Sequence, residues 1–242
     1  RSNIFVIIAF TFSIASDKST DQKALAIHHF MQGEFLLNQG NYALAVLEFQ
    51  DALDIDPNAS TIHISIADAY RRLGRSKHAE DHLRIAMDLD PEELSSREML
   101  GHLYLINRRY DEAEKEFLAL SELDTSNDNY ITVLGDLAKL QKRWNLSVDY
   151  YLKAKEINSQ NFKALENALQ VCLGAELFKR AESICLTLAI VDSNNVNYWN
   201  TYKQITAYNK NYENTLSAIL EIERIQGSSS KLLMEKSAIK QE

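Results

Sequence analysis

The sequence predicts an all-α protein, an array of six helical hairpins in tandem between residues 26 and 229, and three observations predict it. Only two prolines and seven glycines interrupt 242 residues, 45% hydrophobic and 25% charged, so long stretches are free to run as helix. Unit starts at Ala26, Ser60, Leu94, Asp128, Phe162 and Val196 repeat every 34 residues without an insertion. Small residues also recur at two columns of the unit. The eighth position holds Gly33, Ala67, Gly101 and Gly135, with Leu169 and Lys203 departing, and the twentieth holds Ala45, Ala79, Ala113, Ser147, Ala181 and Thr215. Crossing helices need small side chains where their backbones approach, so each unit reads as one antiparallel hairpin.

In chain order, the first element differs from the rest. Arg1 precedes an apolar run from Ile4 to Phe12 and a small-residue exit, Ser13 to Ser16, which are the three parts of a secretory signal peptide over residues 1–16. Export to the periplasm or cell envelope follows as an expectation, and a membrane tether by an uncleaved segment is the alternative. The stretch Ile4 to Ala15 is shorter than the roughly 20 residues that cross a bilayer, so no stable span is expected. Residues 17–25 read as a linker or the start of the first helix.

The repeats then run 26–59, 60–93, 94–127, 128–161, 162–195 and 196–229. Within each, column 24 (Phe49, Leu83, Phe117, Tyr151, Cys185, Ile219) and column 30 (Ile55, Leu89, Leu123, Ile157, Val191, Ile225) are expected to face the core. Gly40 and Gly74 stand between the helices, where a left-handed residue ends the first of them. Pro57 and Pro91 stop the second helix in repeats one and two. After Ile225 the run Gln226-Gly227-Ser228-Ser229-Ser230 breaks the pattern, leaving 230–242 as a capping helix or a truncated further repeat.

These columns resemble the tetratricopeptide repeat family, whose signature has small residues at positions 8 and 20, an aromatic near 24, Ala at 27 and Pro at 32. Gly33, Ala45, Phe49, Ala52 and Pro57 carry the match in repeat one, and Ala67, Tyr70, Ala79, Ala86 and Pro91 in repeat two. It fades along the chain, where Leu169 and Lys203 occupy position 8 and the closing proline is absent. The resemblance implies a right-handed α-α superhelix whose concave groove, lined by the first helix of each unit, binds a peptide or protein segment. Carried onto this chain, the groove positions are Phe30, Glu34, Leu37 and Asn38, then Ile64, Asp68, Arg71 and Arg72, then Glu98, His102, Leu105 and Ile106. Repeat four adds Thr132, Asp136, Lys139 and Leu140, and repeats five and six add Lys163, Glu166, Gln170, Asn200, Gln204 and Tyr208. The acids Glu34, Asp68 and Asp136 share column 9, which would favour a basic partner segment unless they pair within their own helices. Phe30 and Glu34 stand where some members use Lys and Asn to clamp a chaperone carboxylate, so that activity is not expected.

Chemistry of other kinds finds little support. A net charge of −8 without clustered Lys and Arg argues against nucleic acid. No phosphate loop, nucleophile elbow or zinc quartet occurs, so no catalysis, cofactor or metal is expected. His78 and His82, four apart, lack a third ligand and are read as a solvated face, while His29 and His63, both in column 4, are read as packing between helices. Cys172 and Cys185 lie in core columns offset by about one turn, which favours two buried free thiols over a disulfide. The leading function is a non-catalytic scaffold in the envelope; the alternative is a regulatory or substrate-recruiting arm of a larger enzyme or envelope complex. Oligomeric state is not legible.

Overall fold

The computed structural model describes residues 2–239, with side chains from Thr20 onward. The described residues form thirteen α-helices and no strand. They are α1 (Ser2–Asn38), α2 (Tyr42–Ile55), α3 (Ser60–Arg72), α4 (Ser76–Leu89), α5 (Leu94–Ile106), α6 (Tyr110–Leu123) and α7 (Asp128–Leu140). There follow α8 (Trp144–Ile157), α9 (Phe162–Gly174), α10 (Phe178–Val191), α11 (Val196–Tyr208), α12 (Tyr212–Gln226) and α13 (Ser230–Ile239). The helices α3, α5, α7, α9 and α11 begin at residues 60, 94, 128, 162 and 196, and α13 begins at 230, one more period along. The side chains that suggest a leader lie outside the described residues, and the backbone of 2–25 belongs to α1.

Two compact bodies, Arg1–Glu116 and Phe117–Glu242, divide the chain. In the first, α1 packs on α2, α2 on α3, α3 on α4 and α4 on α5. In the second, the same nearest-neighbour order runs from α7 on α8 through to α12 on α13. Contacts therefore concentrate between adjacent elements, with α1 also touching α3, the pattern of a quasi-one-dimensional repeat array.

One capping device closes the first helix of every hairpin. The sixth residue of the turn donates its N–H five residues back, as Asn41 does to Leu36, Arg75 to Tyr70, Arg109 to Tyr104 and Arg143 to Ala138. Leu177 to Cys172 and Asn211 to Thr206 repeat it. This is the Schellman pattern, and it requires a left-handed residue just before the donor. Gly40 and Gly74 supply it at φ of 82° and 72°, but the later repeats place Arg108, Lys142, Glu176 and Lys210 there at φ of 57° to 58°.

Core packing explains columns 8 and 24 together. A Cβ on Gly33 would stand 2.5 Å from the Phe49 ring, and one on Gly135 would stand 2.7 Å from the Tyr151 ring. The glycine thus makes room for the aromatic of the facing helix. Repeat five reverses the sizes, with Leu169 at column 8 and Cys185 at column 24, both buried, which conserves volume. In repeat six the stem of Lys203 is packed while its Nζ reaches Glu235 on α13 at 2.8 Å. Ser147 at column 20 donates its hydroxyl to the Gly135 carbonyl at 2.7 Å, so the close crossing there is also hydrogen-bonded.

Column 30 departs from expectation. Leu89, Leu123 and Val191 are exposed, because column 30 lies at the C-terminal end of the second helix, beyond column 27, where Ala52, Ala86, Leu120, Ala154, Leu188 and Ile222 are buried.

Candidate functional site

Residues of the expected groove are sorted by the structure into three kinds. The first forms a concavity of about 590 Å³ in the N-terminal body, lined by Arg71 from α3 and by Ser95, Glu98, Met99, His102, Leu105 and Ile106 from α5. Five of these stand among the residues the sequence singles out. Their helix supplies columns 5, 9, 12 and 13 to one side, and the most exposed apolar member is Ile106. Glu98 and His102 lie 3.8 Å apart at the rim. Met99 and Ser95, at columns 6 and 2, were not singled out; column 6 varies from half-buried at Met99 to exposed at Met31, which is a weak signal in sequence.

The second kind is already engaged within the protein. Asp68 accepts from Arg71 Nη2 at 2.5 Å and from Arg72 Nε at 2.8 Å. Burial works against its charge, but the two guanidiniums outweigh it and hold its carboxyl below the ordinary value. Arg72 also lies over the Tyr42 ring at 5.7 Å. Asp136 accepts from the Tyr151 hydroxyl at 2.6 Å and pairs with Lys139 at 3.3 Å. Of the column 9 acids, these two therefore meet cations or donors of their own chain, as the alternative reading held. Thr132 returns its hydroxyl to the Asp128 carbonyl, and Leu140 is exposed at its helix end. Leu37 is buried rather than lining a surface, because column 12 of repeat one turns into the hairpin core.

The third kind lies elsewhere on the first helices. Phe30 packs against Phe49 and lines a smaller concavity of about 330 Å³ with Lys23, Ile27 and Thr61. Glu34 and Ile64 are half-buried, and Asn38 is exposed. In the C-terminal body, Glu166 and Gln170 share a concavity of about 280 Å³ with Leu173, Tyr198 and Thr201. Glu166 accepts from the Tyr198 hydroxyl at 2.9 Å and from Lys163 at 3.1 Å, and those bonds lower its pKa. Asn200 is half-buried and Gln204 exposed, whereas Tyr208 leans on Phe178 at 4.1 Å, beside the turn of repeat five.

The histidines correct one expectation and bear out another. His63 is buried between helices, as read, but His82 is not solvated: its Nδ1 lies 2.9 Å from His63 Nδ1. The pair occupies columns 4 and 23, and the same columns hold His29 against Glu48 at 2.8 Å and Arg97 against Glu116 at 2.8 Å. Columns 4 and 23 thus form a polar clasp between the helices of repeats one to three. Among the described residues, one trio of potential metal donors lies within 4.8 Å, His29, Glu48 and Asp51, and its first two members are that clasp. Cys172 and Cys185 are free and buried, as expected, and burial pushes their thiols up to about 11 and about 12. Both are inert at neutral pH.

Among the described residues no helix is long and apolar enough to cross a membrane. A protein built this way belongs to the class of helical-hairpin repeat proteins. The tetratricopeptide repeat model matches residues 21–60 and 64–128, so the hairpins of that stretch are tetratricopeptide repeats. No functionally curated protein matches the sequence. Among solved structures, PilF of Pseudomonas aeruginosa is similar at 17% identity and a TM-score of 0.55, with 90% of this chain and 99% of that one covered. YrrB, described as a TPR protein with an unusual peptide-binding site, is similar at 18% identity and a TM-score of 0.53, with 78% and 97% covered. MamA of Desulfovibrio magneticus gives 14% identity and a TM-score of 0.56, with 84% and 98% covered. At these identities the likeness is one of fold.

Proposed function

We propose that this protein is a non-catalytic scaffold of the cell envelope that holds a segment of another protein against the first helices of its repeats. The observation that carries the reading is the concavity of about 590 Å³ on α3 and α5, where Met99, Leu105 and Ile106 offer an apolar floor and Arg71, Glu98 and His102 a polar rim. A few apolar anchors surrounded by polar contacts suit an extended peptide or one face of a helix. YrrB, with a peptide-binding site on the same fold, supports the mode of binding but not the partner. The placement in the envelope rests on Arg1, the apolar run Ile4 to Phe12 and the small residues after it.

Selection of a displayed random peptide library on the full chain tests the reading. A selected peptide is expected to lose about tenfold in affinity with Ile106→Glu and with Arg71→Glu. Failure to select any peptide, or binding indifferent to both substitutions, overturns it. Residues 1–25 fused to a phosphatase active only outside the cytoplasm test the location; an inactive fusion removes it.

A further inference from the structure

Columns 4 and 23 join the two helices of a hairpin differently from one repeat to the next. Repeat three closes them with a complete ion pair, Arg97 with Glu116 at 2.8 Å, and repeat two with two imidazole nitrogens 2.9 Å apart. Repeats four to six carry no charge there, holding Ile131 and Tyr150, Leu165 and Ile184, and Trp199 and Ala218. Repeat one sets an imidazole against a carboxylate, with His29 Nδ1 2.8 Å from Glu48 Oε2.

A third donor stands beside that pair. Asp51 follows Glu48 by one turn of α2, at column 26, and one donor atom from each of His29, Glu48 and Asp51 lies within 4.8 Å of the other two. Column 26 holds Ile85 in repeat two and Ala119 in repeat three, so those clasps lack the third donor. Charge leaves the trio unbalanced. Glu48 and Asp51 put two carboxylates on one face of α2, where like charges one turn apart repel. Among the described residues neither is paired with a lysine or arginine, whereas Glu116 in the equivalent place has Arg97.

We propose that His29, Glu48 and Asp51 form a binding site for a zinc-class divalent transition-metal ion, which bridges α1 and α2 of the first hairpin. One imidazole nitrogen and two carboxylate oxygens are donors that zinc accepts in tetrahedral geometry, with water as the fourth ligand. Metal–ligand lengths of about 2.0–2.2 Å put tetrahedral donors about 3.4 Å apart. His29 and Glu48 therefore open slightly, and Asp51 closes by rotation of its side chain. Coordination needs the Nδ1 lone pair, so a proton on that nitrogen leaves for Nε2 or for solvent as the ion enters. Magnesium and calcium are disfavoured, because both prefer an all-oxygen shell of six or more ligands. The donors sit on two helices, with 19 residues between His29 and Glu48, so no ligand spacing shows in the sequence.

Isothermal titration of the untagged full chain with zinc chloride at neutral pH tests this. One ion is expected to bind with a Kd of about 10 µM or tighter, and to raise the melting temperature because it binds the folded hairpin. Glu48→Gln and Asp51→Asn are each expected to weaken binding at least about tenfold, and His29→Gln to abolish it. Asp51 is exposed and bonds no other described side chain, so its variant keeps the test decisive should a change in the clasp unfold the hairpin. His78→Asn, which breaks up the His78 and His82 pair of repeat two, is expected to leave the affinity unchanged, and magnesium in about hundredfold excess is expected not to displace zinc. Binding no tighter than about 1 mM, affinity indifferent to Glu48→Gln and Asp51→Asn, loss of binding with His78→Asn, or displacement by magnesium would each overturn the proposal.

Discussion

Glu80 shows how much a single side chain does in this protein. It is buried at column 21 of α4, where it accepts from Arg109 Nη1 at 2.6 Å, the Tyr104 hydroxyl at 2.9 Å and Arg84 Nη2 at 3.0 Å. Two of the three donors come from the next repeat, so the carboxylate ties hairpin to hairpin. Burial alone would raise its pKa, but Arg109, Tyr104 and Arg84 together lower it from 4.5 to about 2. A carboxyl depressed on folding contributes stability above its unfolded pKa and loses it as pH falls through the folded one. The contribution is thus complete above pH 4.5 and is lost between there and about pH 2. Glu80→Gln is expected to cost about 2–3 kcal/mol in urea unfolding at neutral pH and to flatten the acid dependence over that window. An unchanged acid limb would show that the ion cluster contributes nothing. Glu182, at the same column of repeat five, does similar work with neutral donors, accepting from Asn209, Asn211 and Asn214 at 2.7 to 3.0 Å.

At the scale of the element, each hairpin combines one favourable cap with a cost that differs between repeats. A left-handed non-glycine residue costs about 1–2 kcal/mol, part of which glycine would return through greater entropy when unfolded. Lys142, at φ 58°, is therefore a site where glycine should stabilise: Lys142→Gly is expected to gain about 0.5–1 kcal/mol in denaturant melts, and Gly74→Ala to lose a similar amount. Lys142→Gly losing stability would contradict the strain argument. The α3–α4 hairpin also carries a titration of its own. Burial lowers the pKa of both His63 and His82, and for His82 the nearby His63 and His78 add to the effect while Asp81 opposes it. Since the fold favours the neutral rings, stability is complete above the ordinary histidine value of 6.5 and falls as pH drops below it. Replacing both rings, His63→Leu with His82→Leu, should remove that slope in thermal melts between about pH 7 and 5. A slope that survives in the double variant would assign it to other groups.

For the whole molecule, nearest-neighbour contacts mean that stability is distributed along the chain. The last element is the least anchored: on α13 only Leu232 is buried, helped by the pairs Lys203 with Glu235 and Lys236 with Glu223. Lys203→Ala is expected to speed amide hydrogen exchange over Ser230–Ile239 several-fold and to leave α9 and α10 unchanged. Faster exchange spread evenly through the C-terminal body would mean that α13 unfolds only with the rest. Its start at 230 continues the 34-residue period of the first helices, and Leu232 is buried on it.

Periodicity was legible because it is written in residue size and hydropathy. The hairpin spacing, the small columns and the all-α class follow from Gly33, Ala45, Gly135 and their counterparts, since any helix of 3.6 residues per turn must place them on one face. Pairing was not legible. Nothing local to Leu169 says that Cys185 vacates the space it fills, nor to Lys203 that Glu235 stands within reach of its ammonium. The site was legible in part: pairing of Asp68 and Asp136 within their own helices, which Arg71, Arg72 and Lys139 supply, was among the readings, whereas the Tyr151 hydroxyl from the facing helix was not. By itself the sequence determined which residues could meet, because periodic patterns act through backbone geometry alone. Only the tertiary structure decided which did, because partner choice depends on distances between side chains that belong to different helices.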